Sequence, residues 1–321
     1  MAKLNKMSSV FSRHDLDFGC ASHVKHHLHD NTPFKRRPRP IHPHDIEAVR
    51  NHLRELLDAG VIRESKSPFS SPIVVVKKKN RDIRLCIDYR KLNLQTIKDA
   101  YALPNLSVSA LTGSKWFSVL DLKFGYYQIE MNEADKPKTA FVTPLRFWEF
   151  NRMPQGVTNA PSTFQRLMEK CMGDLHLKEV LVFLDDLIIF SNTLEEQESR
   201  LLRVPSRLQE YGLKLSPEKC KLFQKSVKYL GHIVSERGVE TDPEKVAALK
   251  SWPVPTNLKT LRSFLGFAGY YRRFIRGYSA IAKPLNDLTR GYLSARKNSS
   301  IRDSKTHQLD PKQPFGSWWS Q

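Results

Sequence analysis

Residues 180–191, VLVFLDDLIIFS, constrain this chain more than any other stretch. Apolar and β-branched residues flank two adjacent carboxylates, Asp185 and Asp186. Each flank is too short for an ordinary helix and has strand composition, so the segment reads as a hairpin with the aspartate pair at its turn. Two ionised carboxylates beside a hydrophobic core repel each other and resist desolvation. A hard divalent cation, which prefers oxygen ligands, would compensate them. Taken alone, the pair is equally consistent with a solvated Asp-Asp turn. A metal site needs a third carboxylate from elsewhere.

Asp121 is a candidate for that role. It closes the strand-like run WFSVLD, just before a Lys-Phe-Gly turn. Further strands are predicted around 139–142 and 147–150, then a loop, MPQGVTNAP, and a helix over 162–171. Upstream, Ile46, Val49, Leu53, Leu56 and Leu57 recur at helical spacing, with Asp45 placed to cap the helix and Gly60 to end it. The runs IVVVKKK and IRLCIDYR read as a hairpin carrying Lys77, Lys78, Lys79, Arg81 and Arg84 at or near its tip. Such a tip is either a charged edge that discourages aggregation or a clamp for phosphate. Downstream, residues 193–211 read as a helix with Pro205 inside it, which costs about 3 kcal/mol or more. Asp242-Pro243 starts another helix. Residues 257–278 read as one amphipathic helix, with Leu258, Leu261, Phe264, Leu265, Ala268, Tyr271, Phe274 and Ile275 on its stripe.

The net charge of +19 points to a polyanionic partner, nucleic acid first. No apolar run has the length of a membrane span, and the N-terminus lacks the apolar segment of a secretory signal. The four cysteines form no Cys-x-x-Cys pair, which argues against a zinc knuckle or a disulfide scaffold and fits an intracellular, reducing compartment. Residues 1–40 read as weakly structured. Their histidines, His23, His26, His27 and His29, suit either a metal or a solvated strand. Lys35, Arg36, Arg37 and Arg39 stand among prolines, as phosphate contacts or as a solvated extended arm.

The motifs SPFSSPIVVVKKK, RLCIDYRKLN, FSVLDLKFGYYQIEM, PKTAF, MPQGVTNAPSTFQRLM, VFLDDLIIFS, GLKLSPEKCKLF, YLGHIVS and LRSFLGFAGYYRRFI occur in this order. Together they resemble the reverse transcriptase of gypsy-type long-terminal-repeat retrotransposons, relatives of retroviruses, over roughly residues 11–290. The resemblance implies an α+β right-hand polymerase fold with an antiparallel palm sheet packed on helices. It implies an N-terminal extended arm (1–40), fingers (41–111), a palm (112–235, with a fingers insertion around 130–160), thumb or connection-like helices (236–290) and an irregular tail (291–321). The implied activity is RNA-directed DNA polymerisation, with Asp121, Asp185 and Asp186 holding two Mg²⁺ ions, Mn²⁺ being able to substitute. Tyr126 matches the aromatic that blocks a ribose 2′-hydroxyl. Gln155 matches a contact to the incoming nucleotide, and Lys78 and Arg84 match residues that hold its triphosphate. Tyr229 to His232 resemble the primer grip. Arg262, Arg272, Arg273 and Arg276 would follow the template–primer backbone. The implied partners are an RNA or DNA template with its primer, and dNTPs, with no membrane.

The chain departs from the family at Phe124, where a small residue is usual, at Arg146, where glycine is common, and at Pro205. The tail resembles the lead-in to an RNase H region but holds only Asp303 and Asp310 as aspartates, and no protease or integrase motif occurs. The expectation is a polymerase piece of a larger polyprotein. Two other classes remain open: a non-catalytic nucleic-acid-binding remnant, and a two-metal nuclease, which an acidic cluster alone would allow.

Overall fold

The computed structural model describes residues 8–14, 16–29, 32–77, 83–101 and 108–290. Lys78 and the rest of the basic hairpin tip, and the tail from 291 onward, lie outside the described residues. The described residues divide into two compact units, one within residues 1–227 and 235–238, the other within 228–234 and 239–321.

The first unit opens with a short strand, β1 (Lys25–His26), and helix α1 (Ile46–Asp58). Val49, Leu53 and Leu56 of α1 are buried as the helical spacing demands. Gly60 ends the helix at φ +67°, but Asp45 makes no side-chain capping bond. A 3₁₀ turn over Pro43–Asp45 leads into the helix instead. Strands β2 (Ile62–Glu64), β3 (Ser71–Lys77) and β4 (Ile83–Ile87) follow, then the short helix α2 (Arg90–Gln95). With β7 (Phe141–Val142) and β8 (Phe147–Phe150), these strands make a five-stranded sheet in the order β2-β8-β7-β3-β4. Ile62, Ile73, Phe141, Trp148 and Phe150 share a core with α1.

The second sheet is antiparallel, in the order β11-β5-β10-β9, from β5 (Trp116–Asp121), β9 (Val180–Phe183), β10 (Asp186–Ser191) and β11 (Lys221–Gln224). Leu187, Ile188 and Ile189 are all fully buried, so β10 is covered on both faces. That explains its unbroken apolar run, where a half-solvated strand would alternate. Helices α3 (Ala160–Met172) and α4 (Leu194–Glu210) pack against this sheet, through Phe164, Leu167, Met168, Leu201, Val204 and Leu208.

The helix expected over 193–211 forms, and the reading of the histidines changes. Helix α4 is continuous through Pro205, which is buried, so proline removes the amide that would bond Leu201 without breaking the helix. Tertiary packing on both sides of the residue outweighs its local cost. The histidine-rich segment is not solvated throughout: His26 is 1 % exposed, in β1, which pairs with β6 (Glu130–Met131). Its Nδ1 lies 2.9 Å from the Thr163 hydroxyl, and burial lowers its pKa to about 4. No three His, Cys, Asp or Glu side chains among the described residues form a ready-made metal cage, at the histidines or elsewhere.

The second unit includes β12 (His232–Ser235, to Val234), most of β13 (Gly238–Thr241) and three helices, α5 (Pro243–Lys250), α6 (Leu258–Tyr270) and α7 (Tyr278–Asp287). Asp242 caps α5 by accepting from the Glu244 amide. The single helix expected over 257–278 is two helices. An Asn257–Thr260 capping box starts α6, a 3₁₀ turn (Arg272–Phe274) ends it, and Gly277 at φ +67° redirects the chain into α7. Gly266 and Gly269 lower helix propensity just before this break. Among the described residues, no helix is long and apolar enough to cross a membrane.

Candidate active site

Strand pairing sets Asp121 and Asp186 opposite each other with Asp185 in the adjoining turn, although the three carboxylates do not form a ready-made cage. Asp186, the first residue of β10, lies opposite Asp121, the last residue of β5, and it also pairs with Phe183 across the hairpin. The turn is therefore Leu184-Asp185, and the aspartate pair straddles the turn and the strand start. The Asp185 carbonyl accepts from the Leu122 amide at 3.2 Å, tying the hairpin to the end of β5. Burial raises the Asp186 carboxyl to about 6, with the charges of Asp185 and Asp121 adding to the shift. Asp185 moves in the same direction, again chiefly through burial. The Lys219 ammonium, 3.0 Å from Asp121 Oδ1, opposes both shifts.

Leu184 adopts φ +54°, a conformation that costs a branched residue about 1–2 kcal/mol. Gln165 on α3 holds it there. Fully buried, Gln165 accepts from the Leu184 amide at 2.8 Å and donates to the Val182 carbonyl at 3.2 Å and to Glu169 at 2.8 Å. The Lys-Phe-Gly turn approaches from the other side. A Cβ on Gly125 would sit 2.9 Å from the Phe164 ring and 3.2 Å from Asp185 Cβ, so only glycine permits this approach. Gln128, also buried, closes the turn through bonds to the Lys123 and Lys214 carbonyls and the Lys214 amide. Phe124 takes the left-handed conformation, φ 48°, and packs edge-on against Phe18 with ring centres 5.3 Å apart. Arg146 has no positive φ and pairs with Glu64, so its hairpin has no need of glycine.

The Tyr126 ring stacks on Phe164 at 5.3 Å, and burial followed by the Asp185 charge raises its hydroxyl to about 12. Arg84 Nη2 donates to Gln155 Oε1 at 3.0 Å, joining β4 to the Pro-Gln-Gly loop. That loop turns at Gly156, φ +95°, and Asn93 of α2 clamps it through the Gly156 carbonyl (2.8 Å) and the Thr158 amide (2.9 Å). Lys77, beside the undescribed Lys78, pairs with Asp45 at 3.1 Å. In the second unit, Arg262 is on α6, Arg272 and Arg273 are in the 3₁₀ turn, and Arg276 follows it, all exposed. The Tyr270 and Tyr271 hydroxyls donate to the Leu230 (2.6 Å) and Gly231 (3.1 Å) carbonyls, holding a turn with φ +47° and +77°.

Sequence reasoning missed Gln128, Gln165, Asn93 and Lys219. Gln165 left one usable signal: it is a polar residue at helical spacing with the apolar Met168 and Met172.

Residues 76–234 match the family described as reverse transcriptase (RNA-dependent DNA polymerase). The retrovirus-related Pol polyprotein from transposon 297 of Drosophila melanogaster is 42 % identical over 292 residues, covering 88 % of this chain and 28 % of that protein. The corresponding polyprotein from transposon gypsy of the same organism is 41 % identical, covering 82 % of this chain and 26 % of its own length. The chain thus spans little more than a quarter of these relatives. Among solved structures, a foamy viral protease-reverse transcriptase in complex with an RNA/DNA hybrid aligns with a TM-score of 0.76 at 25 % identity, over 89 % of this chain and 39 % of that one. The same viral protein in complex with dsDNA aligns at 0.78 and 25 % identity, over 89 % and 61 %. The α+β architecture is that of these enzymes, and the family is one of divalent-metal dependence. The chain belongs to the reverse transcriptase (RNA-dependent DNA polymerase) family, as the domain that retrotransposon Pol polyproteins carry.

Proposed function

We propose that this chain adds dNTPs to a primer 3′-hydroxyl on an RNA or DNA template. The observation that carries this reading is the register that sets Asp121 opposite Asp186, with Asp185 at the adjoining turn. Three carboxylates contribute to a partly buried site, and among the described residues Lys219 is the cation that opposes their shifts. Oxygen-only donors with excess negative charge suit a hard divalent cation, so Asp121, Asp185 and Asp186 are the residues that would hold Mg²⁺ or Mn²⁺. Two such ions, when bound, stabilise the attacking and leaving oxygens of an in-line displacement at the α-phosphorus.

The other roles are the chain's own. Tyr126, fixed by Phe164 beside Asp185, excludes a ribose 2′-hydroxyl by its bulk. Arg84 offers a planar donor to the triphosphate and orients Gln155 toward the sugar, with Lys78 as a second cation. The turn at Leu230-Gly231 supports the primer end. Arg262, Arg272, Arg273 and Arg276 follow the nucleic-acid backbone without reading sequence. In this reading residues 41–111 act as fingers, 112–235 as palm and 236–290 as thumb. The foamy viral relatives bound to RNA/DNA hybrid and to dsDNA support the choice of template.

Primer extension on poly(rA)–oligo(dT) with Mg²⁺ and dTTP, beside Asp185→Asn, tests the proposal. Extension that the substitution abolishes supports it. Template–primer binding by a folded protein that never extends would replace it with a binding remnant. Cleavage without dNTPs would replace it with a nuclease.

A further inference from the structure

The segment Pro33 to Pro40, PFKRRPRP, takes no part in the site described above. Its backbone is fixed against the five-stranded sheet. The Ser70 amide donates to the Phe34 carbonyl at 2.8 Å, and the Arg36 amide donates to the Ser70 carbonyl at 3.0 Å. The Ser70 hydroxyl also donates to the Arg36 carbonyl at 3.1 Å. The Phe34 ring meets Phe69 edge-on at 5.8 Å. Three prolines, Pro33, Pro38 and Pro40, hold the chain extended and lower the entropy lost on ordering it. Arg39 anchors the far end on Asp88 at 2.6 Å, and Asp88 also binds Arg90.

This fixed arm carries three consecutive exposed cations, Lys35, Arg36 and Arg37. Among the described residues, several surface arginines of the first unit are paired: Arg50 with Glu47, Arg63 with Glu133 and Glu149, Arg203 with Glu179, and Arg207 with Asp174. Lys35, Arg36 and Arg37 are exposed, and among the described residues no acid lies within ion-pairing distance of them. Three consecutive like charges repel one another, and the fold keeps them together on a rigid backbone where a flexible tail would let them spread. An extended rail of cations on a preorganised backbone suits a flexible polyanion lying alongside it. Single-stranded nucleic acid is such a partner, since its phosphates can adjust to the rail and no base need be read.

We propose that Lys35, Arg36 and Arg37 form a phosphate rail for a single-stranded stretch of nucleic acid. Under the polymerase reading, on which this identification of the strand rests, that stretch is template not yet copied. Arg39, through Asp88 and Arg90, ties the rail to the DYRKLN segment, whose Asn93 clamps the Pro-Gln-Gly loop. The rail and the candidate nucleotide-contacting residues thereby belong to one bonded framework.

The test is the triple substitution Lys35→Ala, Arg36→Ala, Arg37→Ala in the full chain. It keeps the main-chain bonds to Ser70, and circular dichroism with thermal melting checks the fold. Fluorescence anisotropy compares a blunt primer–template, the same duplex with a single-stranded 5′ template overhang, and a single-stranded oligonucleotide, each across a salt series. The expected result is weaker binding of the overhang duplex and the single strand, on the order of ten- to a hundredfold at 0.1 M salt. The slope of log K against log salt should fall by about 2 in magnitude, from roughly 0.7 per phosphate contact. Blunt-duplex affinity should stay within about twofold. An unchanged overhang contribution and slope would overturn the rail. Equal loss on blunt and overhang duplexes would overturn it in favour of general electrostatics. These measurements need no catalysis. A protein that extends no primer yet loses overhang binding in the variant would refute the polymerase reading and leave the rail standing.

Discussion

Replacing Asp186 by Asn should make this protein more stable while abolishing its proposed activity. The folded site holds the Asp186 carboxyl at about 6, against an ordinary value of 3.8. The sign follows from proton binding. Between these two values the folded state keeps a proton that the unfolded chain has lost, so stability falls as pH rises through that window. Below about pH 4 both states are protonated and the site costs nothing; above about pH 6 the full penalty is present. The full shift corresponds to ~3 kcal/mol, and partial exposure of the carboxylate to solvent reduces this to about 1–2 kcal/mol. Asn removes the charge and keeps the shape. Urea unfolding followed by tryptophan fluorescence, in EDTA at pH 4 and pH 7, is the assay. The variant should match wild type at pH 4 and exceed it by about 1–2 kcal/mol at pH 7. Added Mg²⁺ should shrink the gap, because wild type alone gains a compensating cation. A variant no more stable than wild type at pH 7, or a gap that ignores pH, would refute the account of the site as an under-compensated carboxylate cluster.

Three other substitutions probe the framework around it. Gln165→Leu leaves the Leu184 amide and Val182 carbonyl unpartnered in a buried turn and should destabilise the protein by about 1–3 kcal/mol, read as a lower urea midpoint; an unchanged midpoint would mean the hairpin needs no clamp. Pro205→Ala restores the amide that bonds the Leu201 carbonyl and should gain about 1–2 kcal/mol after the loss of ring packing, visible as a melting temperature a few degrees higher; a lower one would show that the ring's packing dominates. Tyr126→Ala should allow rUTP incorporation on poly(rA) to rise at least tenfold relative to dTTP, and an unaltered ratio would remove Tyr126 from the sugar site.

Strand composition alone located β5, β9 and β10, because β-branched runs with a polar end have few other uses. Helix α1 was legible down to its Gly60 terminus, since spacing and a positive-φ residue are local signals. The break between α6 and α7 was not legible. Tyr271 and Phe274 continue the helical spacing, and the chain leaves the helix where Tyr270 and Tyr271 bond the carbonyls of the 230–231 turn. The helix around Pro205 was legible despite the proline, because a propensity cost of a few kcal/mol is small beside the burial of Leu201, Val204 and Leu208 around it.

By itself, the sequence determined the charge of +19, the two apolar runs around Asp185 and Asp186, and the strand that ends in Asp121. These follow from composition and short-range periodicity, which the chain carries wherever it folds. Only the tertiary structure decided that Asp121 stands opposite Asp186, that Gln165 holds Leu184 in a strained turn, that Arg84 meets Gln155, and that His26 is buried. Each of these joins residues 19 to 137 positions apart. Such pairings depend on register and on the closure of long loops, and no local propensity encodes them.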